Sequence, residues 1–204
     1  MVDLLTLLAF IPAAFVLNMT PGADMMFCLD QGLRSGPRAG IMASAGVSAG
    51  GLVHVTLAGL GLGALVATHP WAFDVIRWIG VAYLVYLAVQ ALRYDRQSAA
   101  SGPGLSPWRA FRSGFVVNLT NPKVILFVLA FVPQFVDPSA GNVLGQFLIF
   151  GGVIAIGGLF VNGAVGAFAG QFSTGLNKRG RILGYVSGGI FLTLAARLAI
   201  LERA

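Results

Sequence analysis

Two ionisable residues, Asp24 and Lys123, stand next to proline-containing interruptions of long apolar segments. A charge in a segment that crosses a bilayer costs about 2.5–3.5 kcal/mol on insertion scales, so its side chain usually faces a cavity or a partner charge. Asp24 would hold a substrate ammonium group, carry a proton, or alternate between the two, because burial favours a protonated carboxyl group and a nearby cation favours loss of the proton. Lys123, with backbone N–H groups freed by Pro122, would bind a carboxylate. The alternative is a buried ion pair of Asp24 with Lys123 that fixes helix packing.

The two interruptions repeat each other one hundred residues apart, from Phe15 to Gly22 and from Phe115 to Lys123. Five identities (Phe, Val, Asn, Thr and Pro) fall into register when Asn121 is treated as an insertion in the second copy. Proline beside a polar residue leaves backbone groups unpaired, which lipid does not tolerate, so such breaks line a cavity or are buried in protein. A matched pair of breaks in two halves of a membrane chain predicts the central binding site of a transporter.

The residues around the breaks form the predicted site. The substrate-binding set is Asn18, Thr20, Gly22, Asp24, Asn118, Thr120, Asn121 and Lys123. The helix-breaking set is Pro21, Gly22 and Pro122. Capping of the broken helices is the alternative role of the neutral polar side chains. His54, in the second apolar segment, is a second candidate for proton coupling beside Asp24, with packing or hydrogen bonding as its alternative, and Asn162 is interpreted as an interhelical hydrogen-bonding residue.

The composition places the chain in a membrane. Of its 204 residues, 57% are hydrophobic and 10% are charged, whereas soluble domains carry about 25% charged residues. The first apolar segment has no basic residue before it and no small-residue cleavage site, so we expect it to be retained as a span. The basic residues behind the net charge of +6 lie mainly between apolar segments, which indicates membrane orientation and contact with anionic lipid rather than a nucleic-acid partner.

Little in the sequence suggests enzyme or cofactor chemistry. The single cysteine, Cys28, excludes an internal disulfide, a dithiol relay and a multi-cysteine metal site. No phosphate-binding loop is present, so the driving force must come from ion or substrate gradients. The stretch from Gly46 to Gly50 matches a nucleophile elbow, but that motif needs a strand–turn–helix context. Its GxxxG spacing is typical of closely packed membrane helices. We predict no enzyme activity and no cofactor.

Six segments are long and apolar enough to cross a bilayer, which takes about 20 residues each. They cover roughly residues 3–32, 38–68, 72–93, 110–136, 142–172 and 181–201. The third and sixth share four residues at an offset of 104, namely Arg77/Arg181, Gly80/Gly184, Ala91/Ala195 and Arg93/Arg197. We predict an all-α polytopic membrane protein with one transporter domain, 1–204, built from two inverted three-helix repeats whose first helices (the first and fourth of the chain) are broken near the midplane. The repeats cover about 1–97 and 108–204, with a linker at about 98–107.

Basic residues predict the orientation of the chain. Loops after the first, third and fifth segments contain nine of them, and the opposite side contains two, Arg77 and Arg203. The nine are Arg34, Arg38, Arg93, Arg96, Arg109, Arg112, Lys178, Arg179 and Arg181. Because basic loops stay in the cytoplasm, we expect both termini outside it. An odd number of spans per half inverts the second half, brings the broken segments together, and permits alternating access by rocking of one half against the other.

The sequence motifs of this chain resemble those of the LysE superfamily, and within it those of the LysE/RhtB family of amino-acid exporters. The matching motifs extend over essentially the whole chain: Asn18-x-x-Pro21-Gly22-x-Asp24, Gln31-Gly32-x-x-x-Gly36-x-x-Ala39-Gly40 leading into Gly46-x-x-x-Gly50, Gly114-Phe115-x-x-Asn118-x-x-Asn121-Pro122-Lys123, and Phe131-x-Pro133-Gln134-Phe135-Val136. Members often read Pro-Gly-Pro where this chain reads Pro21-Gly22-Ala23, which relaxes one backbone constraint.

The resemblance implies secondary transport of amino acids or their small derivatives out of a bacterial cytoplasm, in exchange for protons. It implies a multi-pass protein of the bacterial cytoplasmic (inner) membrane whose partners are a small amino-acid substrate, protons and lipid; a homo-oligomer is left open. The few acidic residues in the spans beyond Asp24 favour a small zwitterion over lysine or arginine. Two alternatives remain: a metal-ion or thiol-redox member of the wider superfamily, and a non-transporting membrane protein such as an intramembrane enzyme or assembly subunit.

Overall fold

The computed structural model describes residues 2–68 and 104–169, with isolated helical positions between 75 and 92 and between 185 and 199. Within these residues the chain forms helices and no strand, so the all-α prediction is confirmed for them. The six α-helices are α1 Leu4–Met19, α2 Ala23–Ser35, α3 Pro37–Thr68, α4 Pro107–Leu119, α5 Pro122–Ala130 and α6 Val143–Ala167. Two short 3-10 helices, Val132–Phe135 and Pro138–Ala140, lie between α5 and α6. The predicted third and sixth spans lie outside the continuous ranges.

In the part of the chain that the structure describes, two helices are long and apolar enough to cross a membrane alone: α3 over Pro37–Gly61, and α6. Two further spans arise when each bent helix pair counts as one, α1 with α2, and α4 with α5 continued to Phe135. Each pair bends by 53° at its break. These four candidates coincide with the predicted first, second, fourth and fifth segments, and the equal bends fall at the two matched interruptions.

Proline sets the position of both bends. Thr20, before Pro21, has an extended backbone (φ −71°, ψ 118°), and so has Asn121, before Pro122 (φ −80°, ψ 106°). A residue that precedes proline avoids the helical region, and proline has no N–H with which to continue a helix. The first helix of each pair therefore ends just before its proline, and the second restarts at or after it.

Glycines let α4 lie directly against α3. A Cβ on Gly114 would lie 2.3 Å from the Ala43 carbonyl oxygen, and one on Gly50 would lie 2.9 Å from the Asn118 side chain. A Cβ on Gly46 would meet the backbone of α4 at 1.9 Å. No side chain fits at these positions unless the helices separate, which is how small residues act in membrane-helix contacts. Gly46 meets Phe111, whereas Gly50 and His54, further along α3, meet Asn118, further along α4, so α3 and α4 are parallel.

The long helices α3 and α6 run antiparallel. Gly40, near the start of α3, meets Gly166, near the end of α6. A Cβ on either glycine would lie 2.7 Å from the nearest backbone atom of the other. Further along α3, the Ser48 hydroxyl donates to the Ala155 carbonyl over 2.9 Å. Residue numbers thus rise along α3 while they fall along α6.

Aromatic rings pack the core between α1, α5 and α6. Phe10 is fully buried, and its ring centroid lies 4.7 Å from that of Phe150 and 5.1 Å from that of Phe135. The outer surface is apolar as well, with Leu5 78% exposed and Phe160 72% exposed. An apolar core inside an apolar outer surface is what a lipid environment requires, because polar groups must then be satisfied inside the protein.

Candidate functional site

A cavity of about 30 Å³ lies between the two breaks. All six helices contribute to its lining, which consists of Leu17, Asn18, Asp24, Met25, Val47, Ser48, Gly51, Asn118, Lys123, Val124, Ile154, Ala155, Gly158 and Asn162. The structure therefore brings together four of the eight predicted substrate-binding residues, two from each half: Asn18, Asp24, Asn118 and Lys123. Since a water needs about 10–15 Å³ of such space, the cavity holds about two water-sized groups.

The Asp24 carboxylate is buried in the first turn of α2, with 6% of the residue exposed. Its Oδ2 accepts a hydrogen bond of 2.9 Å from Asn118 Nδ2, which links the two halves. Its Oδ1 is also buried and has no partner among the residues that the structure describes. The positive pole of a helix N-terminus favours a negative side chain here. The carboxylate is thus placed to accept a hydrogen bond from a group in the cavity.

The Lys123 ammonium group reaches the break of the first half. Its Nζ donates to the carbonyl oxygens of Leu17 over 3.0 Å and Thr20 over 2.9 Å. In an unbroken helix the Leu17 carbonyl would accept from the residue four positions later, but that residue is Pro21, which has no N–H. The end of α1 also carries the negative pole of the helix dipole, which attracts a cation. Two of the three ammonium hydrogens are used in this way.

Asp24 and Lys123 face the same cavity without a direct ion pair. Among the described residues, an ion pair joins Asp30 to Arg34 at 2.6 Å, and none joins Asp24 to Lys123. Asp24 is bonded to an amide and Lys123 to backbone carbonyls, so the alternative of a direct pair that fixes packing is not realised. A Cβ on Gly22 would lie 3.3 Å from Lys123 Nζ, which places the backbone of the first break against the ammonium group.

The second break also leaves one carbonyl without its helical N–H donor. Pro122 stands four residues after Asn118, so the Asn118 carbonyl also loses its helical donor. It accepts instead from the Asn121 N–H over 2.9 Å and lies 3.1 Å from His54 Nε2. A carbonyl only accepts, so Nε2 carries the hydrogen in this contact. His54 does not line the cavity; it hydrogen-bonds the break, and its part in proton coupling stays a prediction.

Unpaired backbone N–H groups occur at the first break rather than at the second. The first turn of α5 donates three N–H groups to Asn121, one to its side chain at 3.0 Å and two to its carbonyl at 3.1 Å. Gly22 has no side chain with which to cap α2, and the N–H groups of Asp24 and Met25 have no partner among the described residues. This corrects the prediction that Pro122 frees N–H groups for a carboxylate, because the open helix N-terminus belongs to α2.

The remaining predicted substrate-binding residues surround the breaks without lining the cavity. The Thr20 and Thr120 hydroxyls donate to the carbonyls of Val16 (2.7 Å) and Val116 (3.0 Å), one turn earlier, and Thr120 is exposed. Asn121 caps α5, and its Nδ2 is buried without a partner among the described residues. The visible role of these side chains is to complete the broken helices, and their contact with substrate stays a prediction.

Asn162 of α6 lines the cavity, although the sequence did not single it out as a ligand. It is 4% exposed, and its Oδ1 is buried with no partner among the described residues. The interpretation as an interhelical hydrogen bond leaves this oxygen unexplained. One signal was present in the sequence: Asn162 follows Ala155 and Gly158 at helical spacing, so all three share one face of α6.

Residues 15–202 match the family model described as LysE type translocator. The chain belongs to the LysE type translocator family. The resemblance inferred from the broken-helix motifs is therefore confirmed, and this translocator is a multi-pass membrane protein rather than an enzyme. No solved structure matches the chain.

Several curated relatives of this LysE type translocator cover most of its length. A leucine efflux protein of Enterobacter sp. (strain 638) is 32% identical over 199 residues, 95% of this chain and 94% of the relative. A homoserine/homoserine lactone efflux protein of Salmonella typhimurium is 30% identical over 197 residues, 94% of each chain. An uncharacterized membrane protein of Vibrio cholerae is 39% identical over 152 residues, 73% of each chain.

Proposed function

We propose that this translocator exports amino acids or small amino-acid derivatives from the cytoplasm as a secondary transporter, by proton antiport with alternating access. The family and the efflux proteins among its relatives support export of an amino acid. The observation that most directly supports a substrate site is the buried Asp24 carboxylate. Asp24 lines the cavity between the breaks, and one of its oxygens has no donor among the described residues.

The ammonium group is the part of the substrate that Asp24 would hold. The relatives are named for efflux of leucine, homoserine and homoserine lactone. These compounds share an α-ammonium group, whereas the lactone has no free carboxylate. A single buried carboxylate complements one ammonium group, because an opposite charge lowers the cost of burying each partner. A small substrate with one ammonium group therefore fits the site better than a dibasic amino acid.

A free carboxylate would be held by Lys123 and by the open start of α2. Lys123 has a third ammonium hydrogen beyond the two that bind Leu17 and Thr20. Asp24 and Met25, whose N–H groups have no partner among the described residues, line the cavity as well. A cation beside an uncapped helix N-terminus attracts an anion. We therefore propose that the two charged groups of a zwitterion bind between Lys123 and Asp24, which is also the arrangement that the sequence predicts.

The size of the cavity supports a cycle with more than one conformation. About 30 Å³ holds about two water-sized groups, which is too little for a whole amino acid. The breaks would have to move apart to admit substrate, and Lys123 and His54 are the side chains whose bonds would change. We assign the described arrangement to a contracted state of an alternating-access cycle.

Contacts across the breaks support two inverted repeats. The Asn18 side chain donates to the Ile154 carbonyl over 3.1 Å, and His54 Nε2 lies 3.1 Å from the Asn118 carbonyl. With an offset of one hundred residues, Asn18 corresponds to Asn118 and His54 to Ile154, so exchange of the halves turns one residue pair into the other, with the side-chain and backbone roles reversed. The corresponding long helices, α3 and α6, are antiparallel, as inversion requires.

The helix directions support the six-span topology with both termini outside the cytoplasm. Because α3 and α4 are parallel, the end of α3 and the start of α4 lie at opposite ends of the bundle, which is the arrangement that the predicted third span would produce. The Ser35 hydroxyl, at the end of α2, accepts a hydrogen bond of 2.8 Å from the Leu105 N–H, just before α4. These two segments therefore share one side, which the basic residues assign to the cytoplasm of a bacterial inner membrane.

Proton antiport would use Asp24 in alternation. A buried carboxyl group prefers to be neutral, and an arriving ammonium group favours its charged form. Substrate and proton would then compete for the same carboxylate oxygens. The transporter would carry substrate outward and a proton inward, and never both together. This competition is the physical basis of exchange.

Counterflow in proteoliposomes tests the proposal. Vesicles are preloaded with unlabelled L-leucine, L-homoserine or homoserine lactone, and uptake of the matching label is followed for the wild type and for Lys123→Gln, which keeps a donor for the carbonyls of α1. The wild type is expected to accumulate at least one label. Lys123→Gln is expected to slow leucine and homoserine exchange more than lactone exchange, because the lactone has no carboxylate for Lys123 to bind.

The matched control is Arg112→Gln, which removes an exposed cation from α4 away from the cavity. It is expected to exchange all three compounds as the wild type does. Absence of counterflow for every label, with folded wild-type protein in the vesicles, would contradict amino-acid export. Equal slowing of all three compounds in Lys123→Gln would contradict the carboxylate-binding role.

A further inference from the structure

The cavity between the breaks is rich in hydrogen-bond acceptors. Three buried side-chain oxygens in its lining have no partner among the described residues, and they come from three different helices: Asp24 Oδ1 of α2, Asn118 Oδ1 of α4 and Asn162 Oδ1 of α6. Buried polar atoms are almost always paired in native proteins, since an unpaired one costs stability. Three acceptors around one cavity form a binding set for a group that donates several hydrogen bonds.

We propose that Asn162 binds the ammonium group of the transported substrate, with Asp24 and Asn118 as the other two acceptors. The inference rests on the proposed function and adds a residue of α6 to its site. A primary ammonium group has three N–H donors, one for each oxygen of the set. The carboxylate supplies the charge, and a cavity that holds about two water-sized groups has the size of an ammonium head group.

The orientation of Asn118 follows from its other hydrogen bond. Its Nδ2 donates to Asp24 Oδ2 over 2.9 Å, so the amide is turned with Oδ1 as the remaining acceptor. A Cβ on Gly50 would lie 2.9 Å from Asn118 Oδ1, and one on Gly51 would lie 3.9 Å away, so the missing side chains on α3 let this oxygen pack against that helix. The acceptor is therefore oriented and buried, and it has no donor among the described residues.

Asn162 is held in place by the packing of α6 on α3. One turn before it, the Leu159 carbonyl accepts from the Ser44 hydroxyl over 3.0 Å, and further along the Ala155 carbonyl accepts from the Ser48 hydroxyl over 2.9 Å. These bonds fix the face of α6 that carries Asn162 toward the cavity. A binding side chain on a fixed helix discriminates better than one on a loop.

The acceptor set predicts a specificity for primary ammonium groups. Replacing the N–H donors by methyl groups removes the hydrogen bonds and enlarges the head group, so a tetraalkylammonium ion leaves all three oxygens unpaired. A 2-hydroxy acid lacks both the charge and two of the three donors. Asn162 would therefore contribute to affinity for amines while contributing little to affinity for the rest of the substrate.

The test measures binding and transport separately. Thermal stabilisation of purified protein is recorded with n-butylammonium, which has no carboxylate, and with tetramethylammonium. Counterflow of labelled L-leucine is measured on the same proteins. The variants are Asn162→Leu, which removes the acceptor at similar volume; Asn162→Asp, which keeps it; and Ser44→Ala, which removes a hydrogen bond between α3 and α6 outside the cavity lining.

The proposal predicts that n-butylammonium stabilises the wild type and tetramethylammonium does not. Asn162→Leu should weaken butylammonium affinity about tenfold or more, as expected for loss of a hydrogen bond to a charged group. Asn162→Asp keeps the acceptor and adds a negative charge, so it should bind butylammonium at least as tightly as the wild type. Ser44→Ala should lose much less affinity than Asn162→Leu, because the Ser48 hydrogen bond still joins α6 to α3, and leucine half-saturation should follow the same order.

Two results obtained with the variants would overturn the assignment. One is an unchanged butylammonium affinity in folded Asn162→Leu; the other is an equal loss in Ser44→Ala, which would make Asn162 a packing residue. Absence of leucine counterflow together with Asn162-dependent butylammonium binding would support the acceptor set and count against the proposed function alone. Absence of butylammonium stabilisation in the wild type would reject the acceptor set whether or not leucine is transported.

Discussion

The Lys123 ammonium group donates to the Thr20 carbonyl across 2.9 Å and so joins the second half of the protein to the break in the first. Each helix-breaking proline deprives one carbonyl of its donor, and a side chain from another helix approaches that carbonyl: Lys123 at Leu17 and His54 at Asn118. Backbone groups inside a bilayer must be satisfied within the protein. Opening of the cavity must therefore exchange these bonds for others, with substrate, water or protein.

Removal of the Lys123 ammonium group should destabilise the fold as well as the site. Lys123→Met introduces an apolar side chain of similar length. It leaves the Leu17 and Thr20 carbonyls without their charged donor. Each buried unpaired acceptor costs about 1–3 kcal/mol, so we expect a lower free energy of unfolding. Thermal unfolding in detergent measures the change, with Arg112→Met as the exposed control. A melting temperature equal to that of the wild type would show that these carbonyls find other donors.

Close packing of α3 on α4 should depend on the absence of a side chain at Gly46. Gly46→Ala would place its Cβ 1.9 Å from the Phe111 carbonyl oxygen, a backbone atom that cannot move away alone. Overpacking of this kind costs about 1–3 kcal/mol. Gly152→Ala is the matched control, since no atom lies within 4 Å of its Cβ, and it should be neutral or stabilising by up to about 1 kcal/mol. Equal melting temperatures of the two variants would contradict the packing described for α3 and α4.

The orientation can be tested with single cysteines, because the native Cys28 is fully buried. In a Cys28→Ser background, Val2→Cys and Ser139→Cys should react with a membrane-impermeant maleimide added to intact cells. Ser106→Cys, in the predicted cytoplasmic linker region, should react only after permeabilisation. These expectations follow from the excess of basic residues on one side. Labelling of Ser106→Cys alone in intact cells would reverse the predicted orientation.

The sequence predicted the features that single residue types determine. Pro21 and Pro122 identified both breaks, because proline interrupts a helix whatever its surroundings. Asp24 and Lys123 were recognised because a charge in an apolar segment is costly. The partners of these residues depend on tertiary packing, however, and the carbonyls that Lys123 binds lie more than one hundred residues away in the chain.

The details that the sequence did not yield depend on local capping and on the packing of distant helices. Asn121 caps the helix after the second break, whereas Gly22 cannot cap the helix after the first, so the open N-terminus lies at the first break. Asn162 is one polar residue in an apolar helix, a pattern that fits a packing role equally well. Only the cavity that α6 lines together with α2 and α4 identifies it as part of the site.

The central claim is that Asp24 binds substrate and proton in alternation, and Asp24→Asn tests it most directly. Proteoliposomes containing the wild type or the variant are assayed for exchange of a transported amino acid and for its accumulation driven by a pH gradient. We predict that Asp24→Asn still exchanges substrate, with a higher half-saturation concentration, and that the gradient no longer drives accumulation, because an amide cannot carry the proton. Accumulation that still follows the pH gradient in Asp24→Asn would contradict the account.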